Sequence, residues 1–496
     1  MNPAYGDLID DRSPRGIAES IARLITTGVL APGDRLPTVR ELGAELGVSP
    51  ATVSAAWRAM GSVGLIVSRG RSGSFVRASP VPWLTPRVQT MAGHMGESRL
   101  DLSRGAPDPL LLPDLTLALS RVSQSADTFS YQELPVIPPL LEHLRAAWPY
   151  EVEAITVVDG ALDALSRSLE QVIRFGDRVI VEDPSFPPFF DLLDQLGAVR
   201  IPVPVDAEGL DPAALRRALA LGPAALILQP RAQNPTGISM TVDRAGVLAR
   251  IIRSSRHAAD MIVIEDDHSA GISASTEVSL GGWLPERVMH IRSYSKSHGP
   301  DLRIAALGGP ERLINQVVAR RMLGPGWTSR MVQTILYELL TSPDAVNSVA
   351  AARSVYHSRQ RQFAEARRAT GFAAPQTDGL NTWIEVADER QALVHLAASG
   401  IRVTAGSPYL SGPANRQFVR VTVGMLRDDF REVCSAIAAV APEGSGSAGA
   451  GQGTAHRTRI GACSTSATKF PQANPAIPSD GSTGGSDGSP STTRTP

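Results

Sequence analysis

Five short apolar runs lie between residues 154 and 292, and each gives way to a polar or glycine-bearing motif. "AITVV" leads to Asp159-Gly160-Ala161, "RVIV" to "EDPSF", "AALIL" to "QPRAQNPTG", "MIVI" to "EDDH" and "RVMHI" to "RSYSK". Longer stretches of helical periodicity separate them. Such alternation predicts βαβ units, an α/β fold with a mainly parallel sheet and helices on both faces. In open sheets of this kind ligands bind at the carboxyl ends of the strands. Five polar motifs at one edge argue for one site.

The pattern occupies residues 100–441 of a 496-residue chain, long enough for two or three domains. A hydrophobic content of 43% supports a large core. The net charge of −1 gives no global field toward nucleic acid or membrane, so a DNA-binding face has to be local. Two cysteines, Cys434 and Cys463, make no disulfide framework and fit a reducing cytoplasm. The opening "MNPAYGDLIDDRS" lacks the apolar stretch of a signal peptide, and no run reaches membrane-spanning length, so no membrane partner is expected. Residues 78–99 bear Pro, Gly and Ser with little periodicity and read as a linker. Residues 442–496, rich in Gly, Ser, Thr and Pro with Phe470 as their single aromatic, read as a disordered tail.

Residues 12–77 form a different, helix-patterned zone. Thr38 followed three residues later by Glu41 is a capping box, and Ser49-Pro50 pairs an N-cap with proline at the first helical position. Gly47 stands where the first of these helices needs a left-handed residue. The two helices and their turn make a helix-turn-helix. Leu42, Leu46, Val53 and Trp57 recur at helical spacing as its core. An upstream helix over about residues 17–27 completes the unit, and "LIVSRGRSGSFV" reads as a two-stranded wing. Between residues 36 and 77, Arg40, Arg58, Arg69, Arg71 and Arg77 stand against only Glu41 and Glu45, the basic face that phosphate binding needs. Ser49, Thr52 and Ser54 lie on a second helix of small residues that can approach base edges. A head that binds protein instead is the bland alternative.

Lysine is nearly absent from this arginine-rich chain: of 48 lysines and arginines only Lys296 and Lys469 are lysine, and Lys469 lies in the tail. Arginine replaces lysine in surface ion pairs but cannot attack a carbonyl, because guanidinium keeps its proton. Lys296 is therefore a Schiff-base candidate. Around it, Ser293, Ser295, Arg303 and a helix N-terminus at Gly160-Ala161 suit a phosphate. Asp266, after a buried strand, suits a protonated ring nitrogen, and Phe186 suits stacking on a flat ring. A carbonyl, a phosphate, a basic ring nitrogen and a planar ring on one molecule describe pyridoxal phosphate. No metal site is expected.

The order of these motifs, Gly-Ala, E-D-P-x-aromatic, N-P-T-G, strand-end aspartate, then S-x-S-K with arginine, resembles the aspartate-aminotransferase superfamily of fold type I over roughly residues 100–440. The resemblance implies that Asn234 bonds the ring hydroxyl, Asp266 pairs with the ring nitrogen, Phe186 stacks, and Ser293, Ser295 and Arg303 hold the phosphate. It also implies that Arg420, in "FVRVTVG", binds a substrate α-carboxylate and that Tyr131, in "FSYQELP", reaches the neighbouring subunit's phosphate. His268 stands where the superfamily has a tyrosine, so its protonation is expected to matter near neutral pH. After Tyr131 the usual glycine and Leu-Arg are missing, with Val136 and Leu141 present. The stretch "GVLAPGDRLPTVRELGAELGVSPATVSAAWRAM", with the wing, resembles the winged helix of GntR-type regulators, which implies that Arg40, the recognition helix and the wing contact operator DNA.

A winged helix joined by a linker to an aminotransferase-like domain, with a small C-terminal α+β subdomain, resembles the MocR subgroup of GntR regulators. The expected protein is a transcriptional regulator that senses an amino acid or amine by external aldimine formation at Lys296. On the resemblance it is a head-to-tail homodimer binding two half-sites. The rival expectation is a functional class I/II aminotransferase with a DNA-binding appendage, because recognition and transamination share their first step.

Overall fold

Thr38 decides where the second helix of the N-terminal unit begins. Its hydroxyl accepts from the Glu41 amide at 3.2 Å, and the Glu41 carboxylate accepts from the Thr38 amide at 2.8 Å. This is a computed structural model describing residues 5–26, 29–62, 65–77, 85–92, 98–125, 131, 134–374 and 377–442. Helices α1 (Pro14–Thr26), α2 (Val39–Leu46) and α3 (Pro50–Ser62) enclose a core of Ile17, Ile21, Leu42, Leu46, Val53 and Trp57. Gly47 ends α2 in the left-handed region at φ 67. Strands β1 (Ile66–Ser68) and β2 (Ser74–Val76) form the antiparallel wing. α1 starts at Pro14, three residues before the sequence expectation. Ser13 caps it, accepting from the Gly16 amide at 3.0 Å, so the Ser-Pro signature of α3 also operates here.

The segment read as a linker is not featureless. It holds α4 (Pro86–Ala92), which rests on the large domain. Arg87 reaches Asp191 and Asp194, each at 2.7 Å, and the Thr85 hydroxyl reaches Asp191 at 2.5 Å. Residues 78–84 and 93–97 of that segment lie outside the described residues, as does the tail beyond Pro442.

The large domain enters through β3 (Leu100–Asp101), α5 (Thr116–Ser125) and α6 (Pro138–Ala146). Strand and helix then alternate through β4 (Ala154–Val158), α7 (Ala161–Val172), β5 (Arg178–Asp183), α8 (Pro187–Gln195), β6 (Val199–Asp206), β7 (Gly209–Leu210), α9 (Pro212–Leu219), β8 (Ala225–Leu228), α10 (Val242–Ser254), β9 (Ile262–Asp267), β10 (Val288–Ser293), β11 (Ala305–Gly309) and α11 (Glu311–Met322). The sheet runs β4-β11-β10-β9-β8-β5-β6-β7, with β11 and β7 antiparallel to their neighbours. Side chains along each strand divide between two cores. Ile180, Leu226, Leu228 and Val263 meet α9 and α10, whereas Val179, Val181, Ala225, Ile227 and Ile264 meet α7, α8 and α11. Burial on both faces is why these strands read as continuous apolar runs.

Helices α12 (Arg330–Thr341) and α13 (Pro343–Ala369) lead to a small subdomain. There β12 (Thr382–Val386), α14 (Glu389–Ala398), β13 (Ile401–Arg402), β14 (Thr404–Ala405), β15 (Gln417–Val421) and α15 (Phe430–Ala438) build a three-stranded antiparallel sheet packed on helices, and β13 pairs with β3. No described helix is long and apolar enough to cross a membrane. Removing the Thr38 hydroxyl breaks the capping box. Thr38→Ala should lower the stability of the N-terminal unit by about 1 kcal/mol, within roughly 0.5–2, as measured by urea denaturation.

Candidate functional site

Strand register sets the site. β8 pairs Leu228 with Glu265, so the next residues, Gln229 and Asp266, emerge side by side at the carboxyl edge. Gln229 Nε2 donates to Asp266 Oδ2 at 2.8 Å, and Gln229 Oε1 accepts from the Asn234 amide at 2.8 Å. The other carboxylate oxygen, Asp266 Oδ1, is buried and has no partner among the described residues. Burial pushes the Asp266 carboxyl up to about 6, although the Gln229 hydrogen bond and the charges of His290 and Lys296 hold it down.

Lys296 Nζ donates to the carbonyl of Gly105 at 2.5 Å. Burial, and then the Arg420 charge, push its pKa down to about 8, with Asp266 opposing. Gly105 adopts φ +60, and a Cβ there would come 2.9 Å from Arg420 Nη1, so glycine lets backbone and guanidinium meet. Arg420 is 2% exposed. It donates to Ser103 O at 2.5 Å, Thr404 Oγ1 at 3.3 Å and Asn234 Oδ1 at 3.2 Å, and lies 5.2 Å from the Tyr409 ring centroid. Lys296, Asp266, Asn234 and Arg420 thus belong to one connected cluster.

A second corner forms where β4, β11 and β10 end together: Val158 pairs with Ala305, which pairs with Ser293. The Ser295 amide donates to Ser293 Oγ at 3.4 Å. Arg303, at φ 47, donates to Asp159 O at 3.4 Å. Gly160 caps α7 at φ 104, and a Cβ there would lie 2.9 Å from Arg303 Nη2. Glycine therefore lets the guanidinium lie against the α7 N-terminus, where Ala161 begins the helix. Asp159 is held by Arg321 at 2.9 Å and Thr328 at 2.6 Å.

Three expected residues sit differently. His268 Nε2 meets the Ala232 carbonyl at 3.1 Å, which can only accept, so Nε2 carries the proton and Nδ1 accepts from Ser269 Oγ at 3.0 Å. Both ring nitrogens are engaged with protein. Burial and the Lys296 charge push His268 down to about 4, so it stays neutral at neutral pH, against the expectation of a titrating group there. Phe186 precedes α8, half-buried and edge-on to Phe189 at 5.5 Å, partly in the sheet's core. Tyr131 is 88% exposed, and its ring contact is with Trp327 at 6.3 Å.

In the N-terminal unit Arg40, Arg58 and Arg69 are exposed, and Arg69 lies over Phe75 at 5.5 Å. The Ser49 hydroxyl accepts from the Thr52 amide at 3.2 Å and pairs with Thr52 Oγ1 at 2.8 Å, so these two serve the α3 cap. Ser54 is half-buried. Arg71 stands in the wing tip, Gly70–Ser72, and its side chain lies outside what is described.

Sequence reasoning missed Gln229, Ser103, Gly105, Thr404 and Tyr409, which aim the charged groups. It also missed Glu182, which burial pushes up to about 8 and which accepts from the Gln229 amide at 3.1 Å. Gln229 and Glu182 stand in strand-end motifs already noted for polarity. Ser103 and Gly105 lie about 130 residues before Asn234, and no local signal marks them.

Comparison with known proteins agrees with this architecture. Residues 97–437 match the model for aminotransferase class I and II, and residues 14–76 match bacterial regulatory proteins of the gntR family. The chain is 36% identical over 427 residues to the vitamin B6 salvage pathway transcriptional repressor PtsJ of Salmonella typhimurium, covering 85% of this chain and 96% of that one. It is 28% identical to the pyridoxine biosynthesis transcriptional regulator PdxR of Corynebacterium glutamicum, covering 80% and 89%. A Thermus thermophilus aspartate aminotransferase double mutant shares the fold with a TM-score of 0.61 at 21% identity, over 72% of this chain and all of that one. Helix-turn-helix, wing and aminotransferase-like domain in this order and over this length make the chain a member of the MocR subgroup of GntR-family, DNA-binding transcriptional regulators.

Proposed function

We propose that this regulator binds pyridoxal phosphate at Lys296 and passes the state of that site to operator DNA. The observation carrying the reading is Asp266 Oδ1, a buried acceptor without a donor in the same cluster as a primary amine. A protonated pyridine nitrogen would satisfy it. Gly160 fits too, since its missing Cβ keeps Arg303 against a helix N-terminus, an arrangement suited to phosphate. Pyridoxal phosphate, when bound, supplies an aldehyde carbon open to amines and an electron-withdrawing ring.

The chain's own residues do the rest. With its pKa near 8, Lys296 presents a fraction of uncharged amine at neutral pH. Asp266, near 6, is mostly ionised there and holds a proton on a ring nitrogen, with Gln229 fixing its plane. Asn234 Oδ1 is occupied by Arg420, which leaves its amide nitrogen to donate to a ring hydroxyl. Arg303, Ser293, Ser295 and the α7 N-terminus bind phosphate. Phe186, half-buried at the N-terminus of α8, would offer its ring for stacking on the pyridine. Arg420 clamps the carboxylate of an amino acid effector. The exposed Tyr131 serves the phosphate of a second protomer in a head-to-tail homodimer. Two relatives are named for vitamin B6 salvage and pyridoxine biosynthesis, which supports pyridoxal phosphate itself as a signal, with an amino acid or amine as a second ligand.

Borohydride reduction of the protein with pyridoxal phosphate should fix the group to Lys296, located by mass spectrometry; attachment elsewhere, or none, rejects the reading. Only the uncharged amine reacts, and the folded pKa is lowered. The uptake rate should therefore climb with pH up to about 8 and level above it; a climb continuing to 10.5 would contradict the site's electrostatics.

On the DNA face, Arg40→Ala and Arg69→Ala should each weaken operator binding by roughly 1–3 kcal/mol for a base contact and less for a phosphate contact, with a shallower salt dependence. Lys296→Ala should bind operator but not answer to pyridoxal phosphate. Unchanged affinity in both arginine variants would point to a protein-binding head.

A further inference from the structure

Helix α14 belongs to two cores. Ala392 and Leu396 are buried in the small subdomain among Ile384, Val419 and Ile437, whereas Val394 is buried in the winged-helix core with Ile17, Ile21 and Trp57. At 3.6 residues per turn, Val394 points roughly 200° away from Ala392 and from Leu396, to the opposite side of the helix. Both α1 and α3 pack on α14, and Arg390 donates to Ala22 O at 3.2 Å.

The first residue of α14 is tied to the turn that carries Tyr409. Glu389 Oε2 accepts from the Gly406 amide at 2.8 Å and the Ser407 amide at 2.6 Å, and Oε1 accepts from the Ser407 hydroxyl at 2.8 Å. These groups begin the turn Ser407–Tyr409, and the Tyr409 ring, wholly buried, lies against Arg420. The same turn is tied to the large domain: Tyr409 O accepts from the Ser185 amide at 2.8 Å, and Asp183 accepts from the Ser411 amide and hydroxyl, each at 3.0 Å. α4, in the connecting segment, also packs on this turn.

We infer that Glu389 is a positioning residue that couples the Arg420–Tyr409 side of the site to the DNA-binding unit, with α14 as the rigid element between them. A displacement of Arg420, through Asn234 or through a bound carboxylate, moves Tyr409 and the 406–407 amides. Glu389 draws α14 with them, and Val394 and Arg390 carry α1 and α3. A carboxylate taking three hydrogen bonds at a helix N-terminus transmits pull as well as push, which apolar contact alone does not. The inference rests on the site reading proposed above.

The test uses full-length protein with pyridoxal phosphate as probe. Absorbance reports occupancy of Lys296, and operator binding reports coupling. Wild type should change operator affinity by roughly 5- to 150-fold on saturation, the usual range of coupling between two sites. Glu389→Ala should keep the absorbance change and the affinity of the ligand-free protein while losing the response. Glu389→Gln can still accept both amides and donate to Ser407, and should restore most of it. Val394→Ala should also blunt the response. A full response in Glu389→Ala overturns the inference. An absent absorbance change in wild type sinks the site reading instead, and the coupling is then judged by hydrogen exchange in Arg420→Ala. Altered protection of α1 and α3 sustains it, and unaltered protection overturns it.

Discussion

A buried guanidinium organises this molecule. Arg420 leaves the middle strand of the small sheet, and its donors end on a loop at Ser103, on β14 at Thr404 and on the large domain at Asn234, with Tyr409 beneath. A guanidinium with so little exposure is costly unless its nitrogens find acceptors, and here both Nη atoms do, while Nε has none among the described residues. Four distant stretches of chain must therefore converge before any one of them is at rest. The φ +60 backbone at Gly105, and the lysine held against it, follow from that convergence.

Beside it lies a second polar assembly that supports rather than reacts. Glu265 accepts from the Ser279 hydroxyl at 2.5 Å and the Leu280 amide at 2.7 Å and meets His290 Nδ1 at 2.8 Å, and Asp267 pairs with Arg231 at 2.5 Å. Burial works against the Asp267 charge, but Arg231 and His290 keep its carboxyl below the ordinary range. Next to this fixed charge sits Asp266, with one oxygen satisfied and one not. Consecutive carboxylates on one strand point to opposite faces: Asp267 is ion-paired through Oδ2 with Arg231, whereas Asp266 meets only the Gln229 amide, and each keeps one buried oxygen without a partner among the described residues.

What could be read in advance followed physical range. Caps act over three residues, so Thr38, Gly47 and Ser49 were legible, and the overlooked Ser13-Pro14 carried the same signal. Strands buried on both faces announced themselves by unbroken apolar runs, and their polar ends marked Asp266, Asn234 and Lys296. The partners that set those groups lie far off in sequence: Gly105 for Lys296, and Thr404 and Tyr409 for Arg420. Nothing in the local chain marks a residue whose task is to accept one hydrogen bond from 191 positions away. His268 was misjudged for a related reason. Its neutrality comes from burial and from the Lys296 charge, which outweigh the Ala232 carbonyl, and spacing reveals neither.

The double allegiance of α14 also limits modularity. The linker between residues 77 and 100 looks like the natural place to cut. Yet the winged-helix core is completed by Val394, more than 300 residues downstream. A head severed at the linker would expose to water the apolar surface that α14 covers, so shuffling heads between regulators of this kind requires matching the α14 surface as well as the DNA-reading one.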